Sequence, residues 1–252
     1  MTRLRWAILI GIAVLGLGAF AIAAEIEGEN ESEHLTGTEE ADTITGGRGD
    51  DTIDGLGGDD TLIGNGDNDT IDGGEGNDKV FGADCEVGEL GRICDNWGKD
   101  ALRGGPGDDL VYANACSNKV DCQSGSNISL RTYLWGGPGD DKLLGAEGRD
   151  VAWGNEDDDR IETFLGRDSL IGGDGDDRLD GGAGRDRLFG QAGNDTLIGG
   201  PGRDRLSGQA GNDRILARDG KRDRILCGKG RDRVKADKKD RAGRTCERVK
   251  RR

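Results

Sequence analysis

Histidine and methionine each occur once in 252 residues, proline three times, and aromatic side chains make up 4%. The lone histidine, His34, leaves no pair of imidazoles for a zinc centre, and neither an HExxH nor a GxSxG pattern appears. Hydrophobic residues reach only 33%, too few to fill an ordinary globular core in a chain with 48 glycines and 50 acidic residues. A net charge of -15 with few aromatics describes a disordered polypeptide, unless a bound cation removes the repulsion between carboxylates.

One long apolar run is present, and it lies at the start. Arg3 and Arg5 precede an uncharged stretch from Trp6 to about Phe20, followed by Ala21-Ile22-Ala23. This is the pattern of a signal peptide over residues 1–23, with removal near Ala23; the alternative is an uncleaved anchor, and both place the remainder outside the cell. All six cysteines follow this segment, and an even count in an exported chain points to disulfides. Residues 24–36 read as a short acidic linker, which leaves no room upstream of the repeats for a catalytic domain.

Written in nines, the rest repeats itself. Gly46–Asp54 is GGRGDDTID and Gly73–Phe81 is GGEGNDKVF; GGPGDDLVY starts at Gly104, GGPGDDKLL at Gly136, GGDGDDRLD at Gly172 and GGAGRDRLF at Gly181. The period runs without a slip over residues 37–81 and 136–216. The eighth position is always apolar, as in Ile44, Leu62, Val111, Leu143, Leu188 and Ile215, and the seventh is mostly Thr, Lys or Arg. Such alternation fits a short strand with one side chain inward and its neighbour outward. Helix is excluded by the glycines. Two repeats make one coil, and stacked coils bury a core that no single repeat can form.

These repeats resemble the RTX, or haemolysin-type, calcium-binding nonapeptide GGxGxDxUx. The resemblance implies an all-β fold, a right-handed parallel β-roll over residues 37–216, and several bound Ca²⁺ ions bridging turns of adjacent coils. The residues it designates as metal ligands are the sixth-position aspartates: Asp42, Asp51, Asp60, Asp69, Asp78, Asp100, Asp109, Asp141, Asp150, Asp159, Asp168, Asp177, Asp186, Asp195, Asp204 and Asp213, with Asp223 and Asp232 continuing the phase. Only Thr132 interrupts the series. Carboxylates beside glycine turns that aim carbonyls at a common point form an oxygen-rich cage, which suits Ca²⁺ with its six to eight flexible ligands better than Mg²⁺ or Zn²⁺. The plainer reading is that these aspartates only form turns, but turn chemistry accepts Asn or Ser as readily. Many later repeats carry Arg at position five or seven, so there an aspartate has the option of pairing with arginine instead of metal.

Insertions at 82–94, containing Cys85 and Cys94, and at 113–126, containing Cys116 and Cys122, are separated by two repeats. That phase places both on the same side of adjacent coils. Local pairs Cys85–Cys94 and Cys116–Cys122 are favoured, with cross-loop pairing geometrically open. Ninth-position residues Ile63, Phe81, Tyr112 and Leu144 fall on one side of the roll, and Trp135, Trp153, Ile171 and Phe189 on the other. After Leu216 the repeat degenerates into a basic cap over 217–252, where a Cys227–Cys246 bond is expected to clamp the tail over the last coil. The basic tail offers a contact to anionic cell-envelope polymers, although a solvated cap is the commoner meaning of such a run, and no nucleic-acid motif accompanies it. The function these features imply is a non-enzymatic, secreted or cell-surface module that orders on binding calcium and then serves as a structural or adhesive element. A toxin or hydrolase is the alternative, disfavoured by the missing catalytic motifs and catalytic domain.

Overall fold

The computed structural model describes residues 23–82, 86–88, 91–93, 99–113 and 131–251. Residues 1–22, most of the expected signal peptide, and Cys85, Cys94, Cys116 and Cys122 lie outside the described residues. None of the described residues is helical, and none forms a helix long and apolar enough to cross a membrane. The chain winds as a parallel β-solenoid. One wall is a 12-stranded sheet and the other an 11-stranded sheet, and successive strands of the chain alternate between them.

Register follows the repeat. Within uninterrupted stretches residue i lies beside i+18, as in Ile44 against Leu62 and Leu170 against Leu188. Eighth-position side chains therefore stack in two interior columns, and Ile44, Leu62, Leu134, Leu143, Leu179 and Leu197 are completely shielded from solvent. The core is thin, since each coil adds only two such side chains, each contributing roughly 2 kcal/mol by burial. Seventh- and ninth-position side chains point out. There Trp135 and Trp153 stack with ring centroids 5.0 Å apart and planes 5° from parallel, and Phe81 stacks on Tyr112 at 5.5 Å. Both ninth-position columns thus form as the spacing implies.

Residues 24–36 depart from the linker expected of them. Glu25–Glu27 pairs with Thr43–Arg48, and His34–Thr36 pairs with Thr52–Asp54, burying Ile26 and Leu35. They form the first coil. Its single-residue apolar signals, Ile26 and Leu35, sit nine residues apart like the others, but the GGxGxD turn that reveals a repeat is missing.

Both insertions leave the same wall on neighbouring strands, because Lys79–Phe81 and Leu110–Tyr112 are direct partners. Across them register lengthens to i+31 and i+32 without loss of phase, as in Ile71 against Leu102 and Leu102 against Leu134. Within the first, Glu86–Gly88 and Gly91–Ile93 form an antiparallel hairpin. At the C-terminal end Cys227 and Cys246 are bonded, with Cα atoms 5.0 Å apart. The final strand, Arg248–Arg251, presents a charged edge that discourages further pairing.

Candidate metal centre

Each nonapeptide makes its turn within its first six residues, although in several repeats the preceding strand runs on to position three, as in Thr43–Arg48 and Ser169–Asp174. Glycines at positions two and four adopt left-handed backbone, with φ of 108° at Gly47 and 117° at Gly49, which side-chain-bearing residues reach only under strain. The turn directs position six inward, and all eighteen designated aspartates are buried. They fall into two rows, one per edge of the solenoid. Along each row the Oδ1 atom accepts the backbone N–H of the aspartate one coil earlier: Asp42 donates to Asp60, Asp60 to Asp78, Asp159 to Asp177 and Asp177 to Asp195, at 2.7–3.0 Å.

The second oxygen is the chemically open one. Oδ2 of Asp51, Asp60, Asp69, Asp78, Asp109, Asp141, Asp159, Asp177, Asp195 and Asp213 is buried without a hydrogen-bond partner, as are those of Asp168, Asp186, Asp204, Asp223 and Asp232. It lies against the first-position glycine of its own repeat, where a Cβ on Gly172 or Gly190 would collide with it. A buried anionic oxygen with no partner is costly, and the cost appears in the protonation equilibrium. Desolvation pushes Asp69, Asp141 and Asp159 up to about 8, and Asp60, Asp109, Asp177 and Asp195 up to about 7, against the opposing pull of the backbone N–H bond and with neighbouring carboxylates adding to the rise. A cation is the natural complement. Among the described residues no three His, Cys, Asp or Glu side chains converge, so a bound ion would have to complete its shell with turn carbonyls, a donor set of oxygen alone that suits calcium.

The two edges differ in whether those carbonyls are free, and position five decides it. On the first edge position five is Asp59, Asn77, Asp108, Asp140, Asp158, Asp176, Asn194 and Asn212. Each side chain accepts the position-five N–H of the next coil, as in Asp158 to Asp140 at 3.0 Å and Asp176 to Asp158 at 2.7 Å. The position-four carbonyls of Asp157, Gly175 and Gly193 then receive no hydrogen bond among the described residues. On the second edge this pattern holds only at the front, where Asn68 donates to Asp50 and Lys99 to Asn68. Farther on, position five is arginine, which offers no acceptor. The N–H groups of Arg167, Arg185 and Arg203 turn instead to the position-four carbonyls of Gly148, Gly166 and Gly184, at 3.3–3.4 Å. Glu147–Gly148, Leu165–Gly166 and Ala183–Gly184 thereby become a narrow third sheet.

The open set is therefore Asp60, Asp78, Asp109, Asp141, Asp159, Asp177, Asp195 and Asp213 on the first edge and Asp51 and Asp69 on the second. Asp42 and Asp150 differ from the others. Asp42 accepts from the backbone N–H groups of Ala24 and Thr38, and Asp150 Oδ2 from that of Ala146 at 2.9 Å, so neither has an oxygen to spare. Asp168, Asp186, Asp204 and Asp223 lie on the arginine edge. Their Oδ2 atoms do not bond arginine, contrary to the pairing that the sequence leaves open; the ion pairs Arg103–Asp72 and Arg160–Glu162 lie on the outer walls, and Arg185 reaches Asp204 only as a field. Asp100 and Asp232 are buried in the rows with the rest.

Asp240 escaped the sequence reading. It is buried, its Oδ1 accepts the Asp223 N–H at 3.0 Å, and its Oδ2 accepts that of Asp237 at 2.5 Å, so it closes the second row as a cap. The glycine-poor ADKKDRAG segment hides its phase, and only the Asp-Arg-Ala triplet repeats the pattern of Asp-Arg-Val at 232–234.

No curated protein matches the chain. The family model for the RTX calcium-binding nonapeptide repeat matches residues 27–62, 54–84, 95–128, 135–163, 162–197 and 189–221. Those segments cover most of the roll, including the first coil from residue 27, and they agree with the two rows of inward aspartates. The chain belongs to the RTX family of calcium-binding nonapeptide repeat proteins.

Proposed function

We propose that the chain is an extracellular module that acquires its rigid form by binding several calcium ions, and that it works without catalysis as a structural or adhesive element. The observation that carries this reading is that one edge combines a row of buried, unpartnered Oδ2 atoms with turn carbonyls that receive no hydrogen bond among the described residues. Asp60 through Asp213 hold those oxygens in register. The turn glycines bring the carbonyls close, and burial excludes water from the row. Calcium supplies the charge that neutralises carboxylates which would otherwise repel one another or take up protons.

External calcium modules operate near about 10⁻⁴ to 10⁻³ M, so such a chain stays loose in a calcium-poor cytoplasm and stiffens outside. The leader pattern and the Cys227–Cys246 bond support that location, since disulfides persist in oxidising compartments. Far-ultraviolet circular dichroism of the mature, oxidised chain during calcium titration, with magnesium as control, tests the reading. A cooperative gain of β signal with calcium alone is expected. Full β structure in chelator, unchanged by calcium, overturns it.

A further inference from the structure

The overall acidity of the chain conceals a basic surface. Setting aside the eighteen interior aspartates, the 35 basic residues outnumber what remains of the 50 acidic ones. Much of that charge is ordered on the second edge, where Arg131, Arg149, Arg167, Arg185, Arg203 and Arg222 occupy position five of successive coils, all exposed. The narrow third sheet sets Arg149, Arg167 and Arg185 one coil apart, about 4.8 Å. Arg187, Arg205 and Arg224 lie two residues farther on, directly beside one another in the adjoining wall. Like charges in register destabilise a sheet. The acidic residues at position three of this edge are Glu147 and Asp219, and Asp219 is engaged by the N–H of Gly202. An anionic partner laid along the row would offset that repulsion.

We propose that this edge is a docking ribbon for a linear acidic polysaccharide carrying one carboxylate per sugar. The proposal rests on the calcium-stiffened reading above, because only a rigid roll keeps the arginines in line. An extended polyuronate presents carboxylates at short, regular intervals along its length, as this edge presents guanidinium groups one coil apart. Arginine is the residue that grips carboxylate with two parallel hydrogen bonds. Beside the row run Leu165, which is 42% exposed, Ala183 and Pro201, an apolar strip suited to the C–H faces of sugar rings. Single-stranded nucleic acid fits less well, since it needs free aromatic faces for its bases. On the adjoining wall the indole of Trp135 is already covered, by Trp153 on one side and by Arg103 at 5.2 Å on the other.

The test is fluorescence anisotropy with a labelled oligogalacturonate too short to gel with calcium, added to the full oxidised chain in calcium. Arg167→Gln/Arg185→Gln/Arg203→Gln is compared with Arg178→Gln/Arg214→Gln/Arg233→Gln on the outer face of the 12-stranded wall. Expected are salt-sensitive binding, at least a tenfold loss in the first variant and little change in the second. Equal losses in both, no binding by the parent, or equally tight binding of a single-stranded oligonucleotide would overturn the ribbon. Circular dichroism of the same samples separates the two proposals: failure of calcium to order the chain refutes the calcium reading, whereas failed binding by an ordered chain refutes the ribbon alone.

Discussion

Replacing Asp177 by asparagine separates a metal ligand from a turn former, because the sign of the stability change should depend on calcium. Asparagine keeps the Oδ1 acceptor for the Asp159 N–H, 2.9 Å away, and removes only the charge. Desolvation raises Asp177 from 3.8 to about 7, so at pH 8 without metal the folded chain holds an unfavourable buried anion. After allowance for screening by nearby solvent, relief of that burden is worth roughly 2 kcal/mol, and Asp177→Asn is more stable than the parent in chelator. With calcium at about 1,000 times the site's dissociation constant, the parent gains ~4.1 kcal/mol from one ion, which the variant forgoes. The variant should then be roughly 2 kcal/mol less stable. Urea unfolding followed by circular dichroism, in chelator and in calcium, reads both values. The same sign in both solutions would refute the ligand assignment. Asp186→Asn on the arginine edge is the internal control, stabilising in chelator and responding little to calcium.

The raised aspartates also set a pH dependence: their folded pKa exceeds the unfolded value, so in chelator their contribution is fully present below about 4 and is lost as pH rises through about 7 to 8, and melting temperatures should fall over that window while saturating calcium flattens the curve. Cys227→Ser should cost about 3 kcal/mol and loosen the C-terminal coils first, which hydrogen exchange at Ile225 and Val234 detects as lost protection. Arg185→Asn should give the Arg203 N–H a side-chain acceptor, release the Gly184 carbonyl and increase calcium uptake in isothermal titration; unchanged stoichiometry and affinity would show that position five does not govern the turn.

Much of the architecture is legible in the chain itself. Nine-residue spacing of Ile44, Ile53 and Leu62 with aspartate two residues before each dictates strand length, inward positions and the two-repeat coil, since a strand has period two and one coil must return the phase. The same arithmetic places both insertions on neighbouring strands and sets Cys227 near Cys246. Other features depend on contacts between coils and are invisible in any one repeat. Residues 24–36 join the roll because the exposed edge of Thr43–Arg48 accepts Glu25–Glu27, a pairing that supplies what their own turn sequence lacks. Asp42 and Asp150 look like every other sixth-position aspartate, yet local N–H groups take their second oxygens.

That position six is aspartate and faces inward is written into each nonapeptide, because glycine turns and strand alternation are local. Which of those aspartates retain an open cage depends on how the coils stack. The residue at position five acts on the coil after its own: aspartate or asparagine accepts the next N–H and leaves the carbonyl free, while arginine surrenders the carbonyl to a β-ladder and turns its charge outward. That choice runs between residues 18 apart, so it exists only once the coils are stacked.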